Sequence, residues 1–278
     1  MKVNLAKSAG FCFGVKRALN IAFDTVKKNK TVEMLGDIVH NDDVVRQING
    51  AGIKKIRNLR RGKNKTLLIR AHGASLKTFE QAKKLGYDVV DATCPMVKEI
   101  HAIAKRMENT GRRVIIVGDK KHDEVLGIVG RLKNKVLVVD ADGPVPAGRI
   151  QTIKKAGVVV QSTQNIEKVM KIVATLQKHI KDLEFCNTIC RPTRVKQSEV
   201  RKIPLCNDIV IVIGSRNSAN TKRLYEISRS LNHRTYWVQS KKDIDLNWFK
   251  GVKSVGVTAG ASTPDEVTAD IAQYIRER

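Results

Sequence analysis

Apolar positions recur at the three- and four-residue spacing of a helix in two stretches: Val15, Leu19, Ala22, Phe23 and Val26, then Val97, Ile100, Ile103, Ala104 and Met107. A short, almost wholly apolar run follows each, VEML (32–35) and RVIIV (113–117), and DIVIVI (208–213) is a third of the same kind. Runs with apolar residues at nearly every position, bounded by glycine, predict strands of a parallel sheet buried on both faces. VEML has the weakest strand composition, and its place in the pattern identifies it. A second set of runs, LLIRAHGAS (67–75), VVVQSTQN (158–165) and VGVTAGAST (255–263), predicts strands ending in small or polar residues at His72, Ser162 and Ser262.

The pattern repeats. Cys12, Cys94 and Cys190 each precede by 24 residues a glycine that closes an apolar run: Gly36, Gly118 and Gly214. Strand–helix alternation in a repeat predicts an α/β fold of three pseudo-threefold-related units with mainly parallel sheets and right-handed crossovers. The units are expected at 1–93, 94–188 and 189–278. The first strand, VNLAK (3–7), is a candidate to pair with the third unit, because a closed threefold arrangement needs one chain end to complete it. Ligands of open parallel sheets sit beyond the carboxyl ends of the strands. That rule places His40, His72, His122, Glu124, Ser162, Ser218, Asn220 and Ser262 around one space, with the three cysteines at its floor.

At 278 residues, with 42% hydrophobic and 28% charged content, the chain has enough apolar material for a core. No stretch reaches the about 18 apolar residues of a membrane span. Lys7 and Lys16 interrupt any apolar segment near the start, so a cytoplasmic location is expected. Five cysteines, an odd number, favour metal or redox chemistry over a disulfide framework. The net charge of +25 points to nucleic acid, an acidic protein or an anionic substrate. The basic residues are scattered, among them Lys27, Lys28, Lys30, Arg60, Arg61, Lys120 and Lys121, which also suits an ordinary solvated surface.

No C-x₂-C pair of a structural zinc site is present, and no ferredoxin-type cysteine run. Three thiolates from separate repeats suit a cubane iron–sulfur cluster with one iron lacking a protein ligand. Three buried, unreactive thiols fit the spacing equally well. Cys186 and Cys206 lie outside the repeat and are expected to pack, Cys206 at the opening of a strand. His40, His72 and His122 stand at strand ends, where imidazolium rings donate from both nitrogens to phosphate oxygens. His101 is expected to be a satisfied structural histidine, and His179 and His233 to lie at exposed helix ends or turns.

GSRNSANTKRL (214–224) and ASTPDE (261–266) place hydroxyl and amide donors at helix N-termini, which attract anions, with Pro264 as the first helical residue. Each is also an ordinary helix cap. Glu124 is the one carboxylate here suited to proton donation, since burial raises a carboxyl pKa, although the first turn of a helix also favours glutamate. Neither a P-loop nor a GxGxxG fingerprint appears.

The chain resembles the 4-hydroxy-3-methylbut-2-enyl diphosphate reductase family over essentially its full length. The carriers are GFCFGVKRA (10–18), IVHN (38–41), RAHGAS (70–75), DATCPMV (91–97), HDEVLG (122–127), NTIC (187–190), GSRNSAN (214–220) and VTAGAST (257–263). The resemblance implies one 4Fe-4S cluster per chain, central to the three units and held by Cys12, Cys94 and Cys190. It implies an allylic diphosphate substrate contacted by His40, His72, His122, Ser162, Ser218, Asn220 and Ser262. Glu124, Ser162 and His122 are the catalytic candidates, with Glu124 delivering protons through the hydroxyl at 162. Ferredoxin or flavodoxin would supply two electrons for reduction to isopentenyl and dimethylallyl diphosphates, the last step of the non-mevalonate isoprenoid pathway. The resemblance is compatible with a monomer or a homodimer. Three positions depart from the family pattern: Ser162 for a common Thr, Ala219 for a second serine, and Lys196 for a usual Arg. The alternative is a basic RNA-binding protein with a structural metal site. Only 4% aromatic residues and no RNA-binding motif disfavour nucleic acid.

Overall fold

The computed structural model describes residues 1–29 and 31–278; Lys30, one of the scattered basic residues, lies outside them. The chain opens with β1 (Lys2–Leu5), α1 (Phe13–Lys28), β2 (Val32–Leu35), α2 (Asp42–Gly50), β3 (Ile53–Ile56), β4 (Thr66–Ile69), α3 (Leu76–Lys84) and β5 (Asp88–Asp91). It continues through α4 (Pro95–Asn109), β6 (Arg113–Val117), α5 (Asp123–Val129), β7 (Leu137–Val139), α6 (Ala147–Ile150), β8 (Lys155–Val160), α7 (Ile166–His179) and β9 (Asp182–Phe185). It closes with α8 (Arg191–Val200), β10 (Ile209–Ile213), α9 (Ala219–Leu231), β11 (Thr235–Val238), β12 (Ser254–Ala259) and α10 (Asp265–Arg276).

The strands form three four-stranded sheets of one topology: β3-β2-β4-β5, β7-β6-β8-β9 and β11-β10-β12-β1. Every strand pairing among the described residues is parallel. The third sheet takes its last strand from the start of the chain, with Lys2 opposite Ser254 and Leu5 opposite Val257. Two compact units result. One joins Met1–Lys16, Val39–Gln47 and Arg191–Arg278, and holds the third sheet. The other joins Arg17–Ile38 with Ile48–Cys190, and holds the first and second sheets.

Side chains alternate across a strand, so an all-apolar strand feeds two cores at once. On β10, Ile209, Ile211 and Ile213 pack with Val255, Val257, Ile271 and Ile275, while Val210 and Val212 pack with Val200, Leu224 and Ile227. The second sheet does the same. Ile115, Val117, Val158 and Val160 meet Val169, Val173 and Leu176, and Val114, Ile116 and Val159 meet Ile100, Ala104 and Met107. The weak strand β2 carries a buried carboxylate, Glu33, paired with the Tyr87 hydroxyl at 2.5 Å and the Lys65 ammonium at 2.8 Å. Those partners let a charged residue stand in a buried strand.

Two local expectations are corrected. Cys206 does not open a strand or pack inside: it is exposed, following the short turn Ile203–Leu205, and β10 begins three residues later at Ile209. Pro204 and the Asn207 side-chain bond to the Ile203 carbonyl (2.8 Å) hold that turn. Pro264 caps α10 from outside in an extended conformation (ψ 142°), and the helix begins at Asp265.

Candidate active site

Each predicted cysteine ligand occupies the same structural position. Cys12 directly precedes α1, Cys94 is the N-cap of α4, and Cys190 directly precedes α8. Each peptide N–H donates to a carbonyl two residues past the end of a strand. Cys12 bonds Ala261 beyond β12 (3.0 Å), Cys94 bonds Ala71 beyond β4 (2.9 Å), and Cys190 bonds Ser162 beyond β8 (3.1 Å). The first-turn amides and dipole of a helix stabilise negative charge on a sulfur placed there. Three half-buried thiols, each at a helix start and tied to a strand tip, are a donor set suited to an anionic, thiolate-held iron–sulfur group.

A second loop repeats as well. Glycine closes β2, β6 and β10, at Gly36, Gly118 and Gly214. Gly214 has φ of +147°, and a Cβ on Gly118 would lie 2.8 Å from Gln161 Cβ, so neither position accepts a side chain without strain. Five residues past the strand ends stand His40, His122 and Ser218. Seven past stand Asp42, Glu124 and Asn220, each in the first turn of a helix.

In the unit holding the second sheet, Glu124 is 2% exposed and grips the tip of β8. Its Oε1 accepts from the Ser162 N–H at 2.6 Å and its Oε2 from the Ser162 hydroxyl at 2.7 Å. Burial pushes the carboxyl pKa above its ordinary value, against the two Ser162 bonds. The His122 ring lies edge-on to that of His72, with centroids 5.3 Å apart. His122 caps α5, its Nδ1 accepting the Glu124 N–H at 3.2 Å. This corrects the expectation of an imidazolium donating from both nitrogens: the helix cap uses Nδ1 as an acceptor, leaving Nε2 to donate.

In the other unit, Ser218 caps α9 by accepting the Thr221 N–H at 3.3 Å. Asn220 Oδ1 accepts the Ala261 N–H at 2.9 Å. The Ser262 hydroxyl lies 3.5 Å from Ser218 Oγ and donates to the His40 carbonyl at 3.3 Å. His40, Ser218, Asn220 and Ser262 therefore gather in this unit, and His72, His122, Glu124 and Ser162 in the one holding the first and second sheets.

His101 is buried, but it is not the satisfied histidine expected: its Nε2 has no partner. Burial, reinforced by Arg131, drives its pKa down to about 4, so the ring is neutral. His179 ends α7 and His233 lies in a turn, both exposed. Cys186 is half-buried against the core around Ile116 and Val159.

Several supports escaped the sequence reading. Arg70 pairs with Asp123 at 2.6 Å, two neighbours of flagged residues whose partnership no spacing reveals. Thr188 braces β8, its hydroxyl donating to the Val160 carbonyl (2.6 Å) and accepting the Val160 N–H (2.7 Å). Gln161 Oε1 accepts the Asp119 N–H at 2.8 Å and so holds the loop after Gly118.

A family model described as LytB protein matches residues 3–276. The chain belongs to the LytB family. Among LytB-like relatives, the 4-hydroxy-3-methylbut-2-enyl diphosphate reductase of Geobacter sulfurreducens is 42% identical over 277 residues, spanning 100% of this chain and 98% of its own length. The Aquifex aeolicus protein of the same name is 37% identical, covering 98% and 95%. A solved structure of (E)-4-hydroxy-3-methyl-but-2-enyl diphosphate reductase, titled the terminal enzyme of the non-mevalonate pathway, matches with TM-score 0.74 at 36% identity, each chain covered at 100%. The Plasmodium falciparum structure, titled E-1-hydroxy-2-methyl-but-2-enyl-4-diphosphate reductase, matches with TM-score 0.89 at 28% identity, covering 98% of this chain and 87% of that one. The three parallel α/β sheets are thus the LytB fold. Among the described residues, no helix is long and apolar enough to cross a membrane.

Proposed function

We propose that this LytB chain reductively dehydroxylates (E)-4-hydroxy-3-methylbut-2-enyl diphosphate to isopentenyl and dimethylallyl diphosphates. Reductases of that name match it end to end. The RNA-binding alternative is set aside, because full-length relatives carry the reductase name. Overall, a C–O bond breaks, a C–H bond forms and water leaves, with two electrons and two protons consumed.

Cys12, Cys94 and Cys190 would hold a 4Fe-4S cluster. When bound, that group supplies the electrons and a Lewis-acidic iron without a protein ligand. The chain's own residues bind, orient and protonate. His40, His72, Ser218, Asn220 and Ser262 receive the diphosphate with neutral or charged donors. His122 adds Nε2–H, its Nδ1 being occupied by the helix cap. Such preorganised donors stabilise the anion without reorganising during reaction.

Glu124 is the proton source. Burial favours its protonated form, and its Oε2 lies 2.7 Å from Ser162 Oγ, close enough for a proton to pass between them. A proton passing from Oε2 to Ser162 releases the serine hydroxyl hydrogen toward the leaving hydroxyl, which departs as water. The observation that carries this reading is the buried Glu124–Ser162 pair on the strand tip that also fixes Cys190.

The charge of +25 suits an acidic electron donor such as ferredoxin or flavodoxin, steered by opposite charge. A cytoplasmic site of action fits that donor. The deciding experiment is anaerobic: iron and sulfide per chain, then turnover of the hydroxylated allylic diphosphate with a reduced donor. Both products, made by iron- and sulfide-bearing protein, are expected. Protein without iron, or with iron but without either product, defeats the reading.

A further inference from the structure

Helix α8 begins immediately after Cys190 and carries two charged residues turned onto a loop that leads to Cys12. Lys196 is 2% exposed. Its ammonium donates to the carbonyls of Ser8, Gly10 (2.9 Å) and Ala259 (3.2 Å). Glu199, one turn further on, accepts both the N–H of Ser8 (3.0 Å) and its hydroxyl.

These contacts bear on Cys12 from two directions. Gly10 stands two residues before the cysteine. Ala259 ends β12 and stands two residues before Ala261, whose carbonyl accepts the Cys12 N–H. An ammonium has three hydrogens, and three main-chain carbonyls take them, so Lys196 has none left for a substrate. A buried lysine whose hydrogens all go to carbonyls carries a desolvation cost that those bonds, with the nearby Glu199 and Asp265 carboxylates, offset in part. Apolar packing would hold a helix against a strand without that cost. What the ammonium adds is a fixed point where three carbonyls from two chain segments converge.

We propose that Lys196 is a positioning residue for Cys12, drawing the loop before the cysteine and the end of β12 onto one buried ammonium so that the thiol is presented in a single orientation. Glu199 holds Ser8 in register with it. The inference rests on the reading of Cys12 as a ligand.

The test is amide hydrogen exchange on anaerobically purified full-length protein, with iron per chain measured on the same samples. Lys196→Met is expected to raise exchange in residues 8–12 by about tenfold or more, the scale of losing local hydrogen bonds. Exchange in 92–96, around Cys94, should stay at the wild-type level, and iron per chain should fall to half or less. Lys196→Arg is expected to restore both. Unchanged exchange at 8–12, or an equal rise at 92–96, overturns the proposal, the second outcome marking general loosening. If Lys196→Met does not fold, Glu199→Gln gives the same readout, with an expected rise of about threefold at 8–12; no rise there overturns it equally. Wild-type protein without iron would defeat the reductase reading, while the exchange comparison would still report on the loop.

Discussion

The tips of β8 and β12 are built alike and filled differently. In both, the residue two past the strand end donates its N–H to a side chain seven past the end of the neighbouring strand. In both, it also accepts the N–H of a cysteine. At β8 these are Ser162, Glu124 and Cys190; at β12 they are Ala261, Asn220 and Cys12. The amide keeps the scaffold without any proton to give. The carboxylate keeps the scaffold, and Ser162 adds a hydroxyl where Ala261 has a methyl. A repeat that supplies the same frame twice thus puts a buried carboxyl with a hydroxyl partner in one copy and a neutral amide in the other.

The hardest test of that contrast makes β8 resemble β12 in charge. Glu124→Gln keeps an acceptor for the Ser162 N–H and removes the acid. Turnover is expected to fall by about 10²- to 10⁴-fold, the range of a positioned general acid, with iron content unchanged. A variant with wild-type turnover would erase the distinction between the copies.

The same variant carries a pH signature. A carboxyl whose folded pKa is raised stabilises the fold, relative to a group with no shift, below its unfolded pKa near 4.5. That contribution is lost as pH rises through the folded pKa. The Tm of the wild type should therefore drop relative to Glu124→Gln between acidic and neutral pH, and a difference constant across that range contradicts the burial effect.

Ser162→Ala completes the imitation of β12 while leaving the carboxyl in place. A rate decrease of about tenfold is expected from the missing relay hydroxyl, below the about 10²-fold minimum of a direct general acid. A stability loss of about 1 kcal/mol should accompany it, from one side-chain hydrogen bond. Full activity would show that Glu124 reaches its target without the serine.

Asn220→Ala probes the other copy. It strands the half-buried N–H of Ala261, at a cost of about 1 kcal/mol. A raised KM with kcat within about threefold is the expected result, since the loss falls on binding common to ground and transition states. A collapse of kcat with KM intact would move proton chemistry to this copy. The smallest effect is reserved for Ala219→Ser at the first turn of α9. One added hydroxyl donor should lower KM about two- to fivefold, within the range of a single modest hydrogen bond; an increase would show the position is crowded.

Much of this was legible in the chain. The regular interval from cysteine to glycine located three sheets, and it identified β2 despite Glu33, whose partners Tyr87 and Lys65 lie far along the sequence. The alternating burial of Ile209–Ile213 follows from an all-apolar strand covered on both faces. The burial of Glu124 and the upward push on its pKa were readable because it follows a glycine loop among apolar strands. Other features depend on meetings that local pattern does not encode. Lys196 reaches a loop 188 positions away, so its buried role was invisible beside its identity as a basic residue. His122 Nδ1 is an acceptor only because the helix begins one residue later. Cys206 looked like a strand opening until the Pro204 turn displaced it.

The pairing of β1 with β12 has a consequence for biogenesis. A ribosome releases the residues of β1 first and those of β12 some 250 positions later, and Cys12 finds its carbonyl partner only at Ala261. The cradle of that thiol is therefore complete only once residue 261 has been made. A metal group that needs the Cys12 cradle intact has to wait for Ala261.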